Sequence, residues 1–142
     1  MVKFENAHAP VGDAEIAAIE AGLGLTFPPP LREHFRRTNG GRPEPYLFRR
    51  GSVAVAVSEC LPLRSDRGGL TGPGVFRTLA LGKKVFPPHM FPFAIDGGGN
   101  LLLADCATPE AAVYIWWHDV SENSLVATGV GIADFWSLVV DA

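Results

Sequence analysis

Apolar residues recur at helical spacing near the start of the chain and predict a first helix. Ile16, Ile19 and Leu23 fall three or four positions apart and therefore share one face of such a helix. Asp13 is a residue type that favours the N-cap, and Gly24 follows the last apolar position, where glycine commonly ends a helix. The pattern therefore predicts one short helix that starts at Asp13 and ends before Gly24.

Three consecutive prolines at 28–30 separate this helix from a second one. Proline has no amide donor, so the run predicts an extended bridge, and proline is tolerated in the first turn of the helix that follows. Leu31 and Phe35 lie one turn apart on one face of that helix, and Asn-Gly-Gly at 39–41 stops it. The two helices should form a hairpin whose apolar stripes rest on a flat apolar surface.

Farther along the chain, β-branched and aromatic residues replace the helical pattern. Residues 46–48 and 52–58, separated by Gly51, predict a β-hairpin. Residues 64–74 are rich in glycine and proline and predict a loop. The pattern of residues 75–81 fits a strand as well as a helix, so their state stays open.

The strongest strand pattern lies in the second half of the chain. Residues 91–95 and 101–105 predict a second hairpin, because the glycine-rich stretch 96–100 can supply the positive φ angles of a tight turn. The aromatic run 113–117 predicts a central or half-covered strand, and 132–140 has the apolar spacing of a C-terminal helix. The predicted fold class is α+β, with a mostly antiparallel sheet flanked by the N-terminal helical hairpin and the C-terminal helix.

The composition is that of one folded domain. The chain has 142 residues, of which 47% are hydrophobic and 19% are charged, so we expect a single domain over 1–142 with its core at about 13–139. No apolar run approaches the roughly 20 residues that a membrane span requires, and residues 1–10 lack the apolar stretch of a signal peptide. We expect a cytoplasmic protein with no membrane partner, in which Cys60 and Cys106 are free, buried thiols.

Charge is distributed unevenly along the chain. The formal net charge is −3, yet residues 32–84 hold eleven Lys or Arg and four acids, whereas residues 85–142 hold seven acids and no Lys or Arg. Opposite charges of this kind can steer a partner, or the basic and acidic parts can pair with each other across the fold. The sequence leaves open which of the two segments would be an interface.

The order of these elements and the residues between them resemble the SMI1/KNR4 family, also called the SUKH superfamily. The N-terminal signature of that family resembles Ile19-Glu20, Leu23-Gly24-Leu25, the prolines, Leu31, Phe35 and Asn39-Gly40-Gly41. Its later signatures resemble Phe93 to Asn100, Val113 to Asp119, and Ala133, Phe135 and Trp136. The resemblance covers roughly residues 13–139, and the chain departs from it in its three consecutive prolines and its strongly apolar C-terminal half.

The resemblance implies an interaction domain and no catalytic activity. Most bacterial members of the family are immunity proteins that bind and neutralise a toxin, and fungal members act in cell-wall and signalling regulation. We therefore expect a cognate toxin or another protein as partner, with a regulatory scaffold or a ligand-binding domain as the alternative. The resemblance further implies structural roles for five motif residues: Glu20, Asn39, Gly40, Gly41 and Gly99.

The sequence offers two candidate ligand or catalytic sites, and neither has the residues that such a site needs. The turn at 96–100 could cradle a phosphate, but an apolar strand follows it where such loops feed a helix. His118 and Asp119, with Asp105 or Asp96, could be proposed as a metal or general-base site, yet no His or Cys pair has metal-ligand spacing and no nucleophile motif occurs. We expect no enzyme activity, no metal and no cofactor.

The acidic part of the chain supplies the predicted partner surface. The arginine-rich segment 32–84 could suggest nucleic acid, but the acidic C-terminal third and the negative net charge argue against it. One of the adjacent residues Trp116 and Trp117 should be exposed, because side chains alternate along a strand. The predicted partner-binding residues are Asp96, Asn100, Asp105, Trp117, Asp119 and Glu122, and the sequence also allows a homo-oligomer.

Overall fold

The computed structural model describes residues 1–141, which form eight strands and four helices. The strands are β1 (Lys3–Glu5), β2 (Arg42–Glu44), β3 (Leu47–Arg50), β4 (Val53–Cys60), β5 (Met90–Asp96), β6 (Leu101–Asp105), β7 (Ala112–Trp116) and β8 (Leu125–Gly131). The helices are α1 (Asp13–Leu23), α2 (Pro29–Arg37), α3 (Gly72–Val75), which continues as a π-helical segment (Phe76–Gly82), and α4 (Ile132–Leu138).

The main sheet has six strands in the order β3-β4-β5-β6-β7-β8, and every neighbouring pair is antiparallel. The strands β1 and β2 form a separate antiparallel pair. Proline is rare in central strands because it lacks an amide donor, and Pro92 of β5 lies where the register with β6 shifts. The structure confirms the predicted α+β fold class.

The helical hairpin forms as predicted, with one correction at its start. Gly12, not Asp13, is the N-cap of α1, and Asp13 is the first helical residue. The Asp13 carboxylate instead accepts a hydrogen bond from Nε of Arg36 on α2, at 2.6 Å, so it links the two helices. Gly24 ends α1 in the left-handed conformation, with φ of 69°, as its position in the sequence predicted.

The predicted loop 64–74 is wrong at its end, because α3 begins at Gly72. Thr71 supplies the missing start signal, since its hydroxyl accepts a hydrogen bond from the amide of Gly74 at 3.0 Å. Pro73 lies in the first turn, where it removes no intrahelical bond. Residues 75–81, which the sequence left open, are helical.

The strands β1, β2 and β8 were not predicted from the sequence. β8 pairs with β7 at one edge of the sheet and leads directly into α4. Its two glycines, Gly129 and Gly131, weaken the strand pattern, because glycine is depleted in strands. Gly129 has a φ of 85°, the left-handed conformation that glycine adopts most readily, and a Cβ on Gly131 would collide with the backbone of Glu110.

The core is built largely from phenylalanine rings between the sheet and the helices α2 and α4. The predicted C-terminal helix is confirmed, with Ile132, Phe135 and Trp136 buried. After α4, Val140 forms an antiparallel bridge to Leu47 and so covers part of the β3 edge. The fully buried phenylalanines are Phe27, Phe35, Phe48, Phe76, Phe91, Phe93 and Phe135.

Replacing Gly131 by alanine should destabilise the fold by about 2 kcal/mol, through overpacking. Gly131 has an ordinary φ of −81°, but an added Cβ would lie 2.4 Å from the carbonyl oxygen of Glu110. The measurement is urea unfolding followed by tryptophan fluorescence. Gly97→Ala is the matched control, because no atom lies within 4 Å of its added Cβ. Equal losses in the two variants would contradict the steric explanation.

Candidate partner-binding surface

The β5–β6 turn is closed by the side chain of Asp96. Its Oδ1 accepts hydrogen bonds from the amides of Gly98 (2.9 Å) and Asn100 (2.8 Å), and its Oδ2 accepts one from Nδ2 of Asn100 (2.9 Å). Gly99 has a φ of 87°, the left-handed conformation that glycine adopts most readily. The amides that could have cradled a phosphate are thus bonded to a carboxylate, which agrees with the hairpin interpretation of this stretch.

Asn100 ties the β5–β6 turn to the loop between β7 and β8. Its side chain is buried, and its Oδ1 accepts a hydrogen bond from the amide of His118 at 3.1 Å. The ring of His118 returns the contact, since its Nε2 lies 2.7 Å from the carbonyl oxygen of Gly98 and donates to it. Residues 96–100 and 117–124 therefore form one continuous surface at this end of the sheet, which we call the acidic end.

The β7–β8 loop supplies the exposed charges of the acidic end. Trp116 and Trp117 are both half-buried, so the prediction that one of them is exposed is wrong. The amide of Trp117 donates to the carbonyl of Ser124 at 2.7 Å, which closes the loop. Asp119 and Glu122 are exposed, and within residues 1–141 neither forms a salt bridge. Val120, between them, is 46% exposed. The loop presents two free carboxylates beside an apolar side chain.

Asp105 lies at the other end of β6, away from the acidic end. Its side chain is buried, and its Oδ1 accepts a hydrogen bond from the amide of Ala107 at 2.8 Å. Nδ1 of His89 lies 3.8 Å from the same carboxylate. Among the described residues, no group of three or more His, Cys, Asp or Glu side chains is placed to hold a metal ion. The structure therefore places five of the six predicted partner-binding residues at the acidic end and leaves Asp105 apart. Trp117, Asp119 and Glu122 lie on the β7–β8 loop, and Asp96 and Asn100 lie in the turn that supports it.

The basic segment pairs mainly with the N-terminal acids. Arg32 pairs with Glu20 at 2.9 Å, and Arg64 pairs with Glu15 at 2.6 Å. In the part of the chain that the structure describes, none of the seven acids from Asp96 onward pairs with Lys or Arg. Pairing across the fold thus engages three of the four N-terminal acids, Asp13, Glu15 and Glu20, and, among residues 1–141, leaves the C-terminal acids without a Lys or Arg partner.

Glu20 joins α1 to the proline bridge and to α2. The carboxylate is buried, and its Oε2 accepts a hydrogen bond from the amide of Phe27 at 2.6 Å. Both oxygens lie 2.9 Å from Nη2 of Arg32. A buried carboxylate is tolerated when it is bonded in this way. Its contacts place this motif residue in the framework of the helical hairpin.

The Asn-Gly-Gly stretch holds three segments together. Nδ2 of Asn39 donates to the carbonyls of Ala9 and Arg64, each at 2.9 Å, and its Oδ1 accepts from the amide of Leu63 at 2.8 Å. Gly40 and Gly41 follow with φ angles of 79° and 99°. Side chains there would crowd the residues opposite them, since added Cβ atoms would lie within 3.2 Å of a neighbouring side chain or backbone atom.

Both cysteines are free, but the prediction that both are buried is wrong for Cys106. Cys60 is buried and Cys106 is half-buried. Burial raises the pKa of the Cys60 thiol far above its usual range, and it raises the pKa of Cys106 to about 12. Because the thiolate is the reactive form, neither side chain is a nucleophile near neutral pH.

An apolar groove of about 500 Å³, which the sequence did not indicate, adjoins the acidic end. Leu101 and Ile95, on neighbouring strands, lie on one side of it, and Val75 and Leu79 of the helical segment lie on another. Leu70, at its rim, is 61% exposed. The groove unites segments far apart in the chain, so no local pattern could have indicated it.

A sequence model of the SMI1 / KNR4 family (SUKH-1) matches residues 10–131, which is most of the chain. The chain belongs to the SMI1/KNR4 family. No curated protein and no solved structure gives a significant match. The matched region of this SMI1/KNR4 domain contains both the Asn39 motif and the acidic end, and it stops just before α4. None of the helices within residues 1–141 combines the length and apolar character of a membrane span.

Proposed function

We propose that this SMI1/KNR4 domain is a non-catalytic, cytoplasmic immunity protein that binds and neutralises a cognate toxin protein. Family membership supports a role in this class of proteins. The observation that carries the proposal is the acidic end, where Asp119 and Glu122 are exposed and lack a cationic partner among residues 1–141. Free carboxylates beside an exposed apolar side chain are suited to binding a basic protein surface.

The charge of the acidic end indicates the kind of toxin that it would fit. Enzymes that act on nucleic acids carry basic clefts that bind phosphates. A protein that covers such a cleft benefits from carboxylates placed where the phosphates would lie, because complementary charges speed association and exclude wrong partners. We propose that the exposed carboxylates Asp119 and Glu122 contact the toxin, with Trp117 beside them. Asp96 and Asn100 support this surface from the turn beneath it.

The test of the proposed function is rescue of growth. The product of the neighbouring gene is expressed in a sensitive host, with and without this chain. Restored growth and a stoichiometric complex of the two purified proteins are the expected results. A neighbouring product that is harmless, or that remains toxic when this chain is present, would contradict the immunity role.

The proposed electrostatic steering by the acidic end is tested by measuring the association rate of the same two proteins. The double variant Asp119→Asn, Glu122→Gln should lower the association rate several-fold at low salt, and the difference from wild type should vanish at high salt because salt screens exposed charges. Asp96 is left intact, since its carboxylate closes the turn. The control is Asp134→Asn with Asp141→Asn, two exposed acids outside the acidic end. Equal association rates for both double variants would refute the steering role.

A further inference from the structure

The apolar groove beside the acidic end has the features of a docking site for a partner segment. The side chain of Leu70 lies exposed at its rim, and burying it under a partner would be favourable because it removes apolar surface from water. Three of the residues lining the groove are glycines, Gly69, Gly74 and Gly99. The absence of side chains at these positions lets the backbone of a partner approach closely.

The groove and the acidic end form one continuous surface. Gly99 lines the groove, and a Cβ added to it would lie 3.5 Å from Nε2 of His118. His118 is followed directly by the exposed residues Asp119 and Val120. An occupant of the groove that extends past Gly99 would therefore reach the free carboxylates.

Two arginines in the segments that border the groove, Arg67 and Arg77, have guanidinium groups that contact other parts of the fold. The guanidinium of Arg67 donates to the side-chain and main-chain oxygens of Asn6, at 3.0 and 2.8 Å. The guanidinium of Arg77 lies against Gly22 of α1, since a Cβ on Gly22 would be 3.8 Å from its Nη2. The negative charge of the acidic end is thus not cancelled by these two side chains, and it favours a cationic occupant.

We propose that this groove receives a segment of the partner protein that inserts an apolar side chain and places a neighbouring Lys or Arg against Asp119 and Glu122. The inference rests on the proposed protein-binding function and adds the chemistry of the partner: an apolar residue beside a basic one. The apolar contact would supply affinity, and the basic contact would supply orientation and the fast, salt-sensitive encounter.

A phage-displayed library of short random peptides, selected on the purified protein, tests this inference without knowledge of the toxin. We expect the enriched peptides to share an apolar residue next to Lys or Arg. Leu70→Ser should weaken their binding about tenfold, as loss of a large apolar contact does, and Thr78→Trp should abolish it by filling the groove. The matched control is Leu138→Ser, an exposed leucine on α4 that is outside the groove.

Either of two results would overturn the inference: peptides without the apolar-basic pair, or peptides that bind the groove variants as tightly as wild type. The test is separable from that of the immunity role. If the peptides occupy the groove but the chain gives no rescue from a toxin, the groove stands and the immunity role fails. If the chain rescues growth and both groove variants rescue equally well, the immunity role stands and the groove proposal is wrong.

Discussion

Asn39→Ala should lower the free energy of unfolding by about 3 kcal/mol, the sum expected when one buried and two partly buried hydrogen bonds lose a partner. The side chain of Asn39 is 2% exposed and makes hydrogen bonds to Ala9, Leu63 and Arg64. Alanine removes all of them and leaves an amide and two carbonyls without these partners. Urea unfolding followed by tryptophan fluorescence measures the loss.

The control for this variant is Ser137→Ala. It removes one exposed hydrogen bond, from the Ser137 hydroxyl to the carbonyl of Asp134, and should change the stability by less than about 0.5 kcal/mol. Asn39→Asp is an informative intermediate, because an ionised Asp keeps the acceptor for Leu63 but loses both donors. A loss in Asn39→Ala no larger than that of the serine variant would show that Asn39 does not hold the three segments together.

Asn39 illustrates how far local patterns predict this fold. Asn-Gly-Gly is a strong stop signal, so the end of α2 could be predicted from the sequence alone. The partners of its side chain come from the N-terminal segment and from residues 63 and 64, and no periodicity relates those positions to residue 39. The local role was predictable, whereas the long-range role required the folded chain.

The elements that were predicted correctly carry strong local patterns. The β5–β6 hairpin combines two apolar strands with an Asp-Gly-Gly-Gly-Asn turn, and α4 has apolar residues at helical spacing. β8 carries two glycines: Gly129 has a positive φ, and Gly131 packs directly against the backbone of Glu110, which is distant from it in the sequence. In the sequence these glycines only lower the strand propensity of the segment, so β8 was not predicted.

The acidic end was predictable as a charged stretch but not in its internal organisation. The acids of residues 85–142 stand out in the sequence because no Lys or Arg accompanies them. That Asp96 is used by its own turn, while Asp119 and Glu122 are free, depends on geometry. The groove next to them depends on the positions of β5, β6 and the helical segment together.

The pH dependence of stability should be dominated between about pH 6.5 and pH 4 by His34, a residue for which the sequence gave no signal. Its Nδ1 accepts a hydrogen bond from Nε1 of Trp136 at 3.1 Å, so the neutral ring carries its proton on Nε2. The rings of Phe4 and Phe93 lie edge to face with the imidazole, and their centroids are 5.9 and 5.6 Å from its centroid. Burial, with a smaller contribution from the charge of Arg37, lowers the pKa of His34 from 6.5 to about 3.

The sign of the pH dependence follows from proton binding by His34 in the folded and unfolded states. Unfolded, His34 takes up a proton near pH 6.5, but in the folded protein it does so only near pH 3, so the unfolded state binds more protons between these values. The contribution of His34 is therefore complete above pH 6.5 and is lost as the pH falls, by about 1.4 kcal/mol for each pH unit within the window. We expect a loss of about 2 kcal/mol between pH 7 and pH 5, and about 4 kcal/mol by pH 3.5.

Urea unfolding of the wild type and of His34→Gln, measured from pH 7 to pH 5, isolates this contribution. Gln retains an acceptor for Trp136 but does not titrate, so its stability should be nearly flat where that of the wild type falls by about 2 kcal/mol. His118→Gln, at an exposed histidine, is the matched control and should keep the fall seen in the wild type. If His34→Gln loses stability toward pH 5 as steeply as the wild type does, His34 is not the group that makes the fold acid-sensitive.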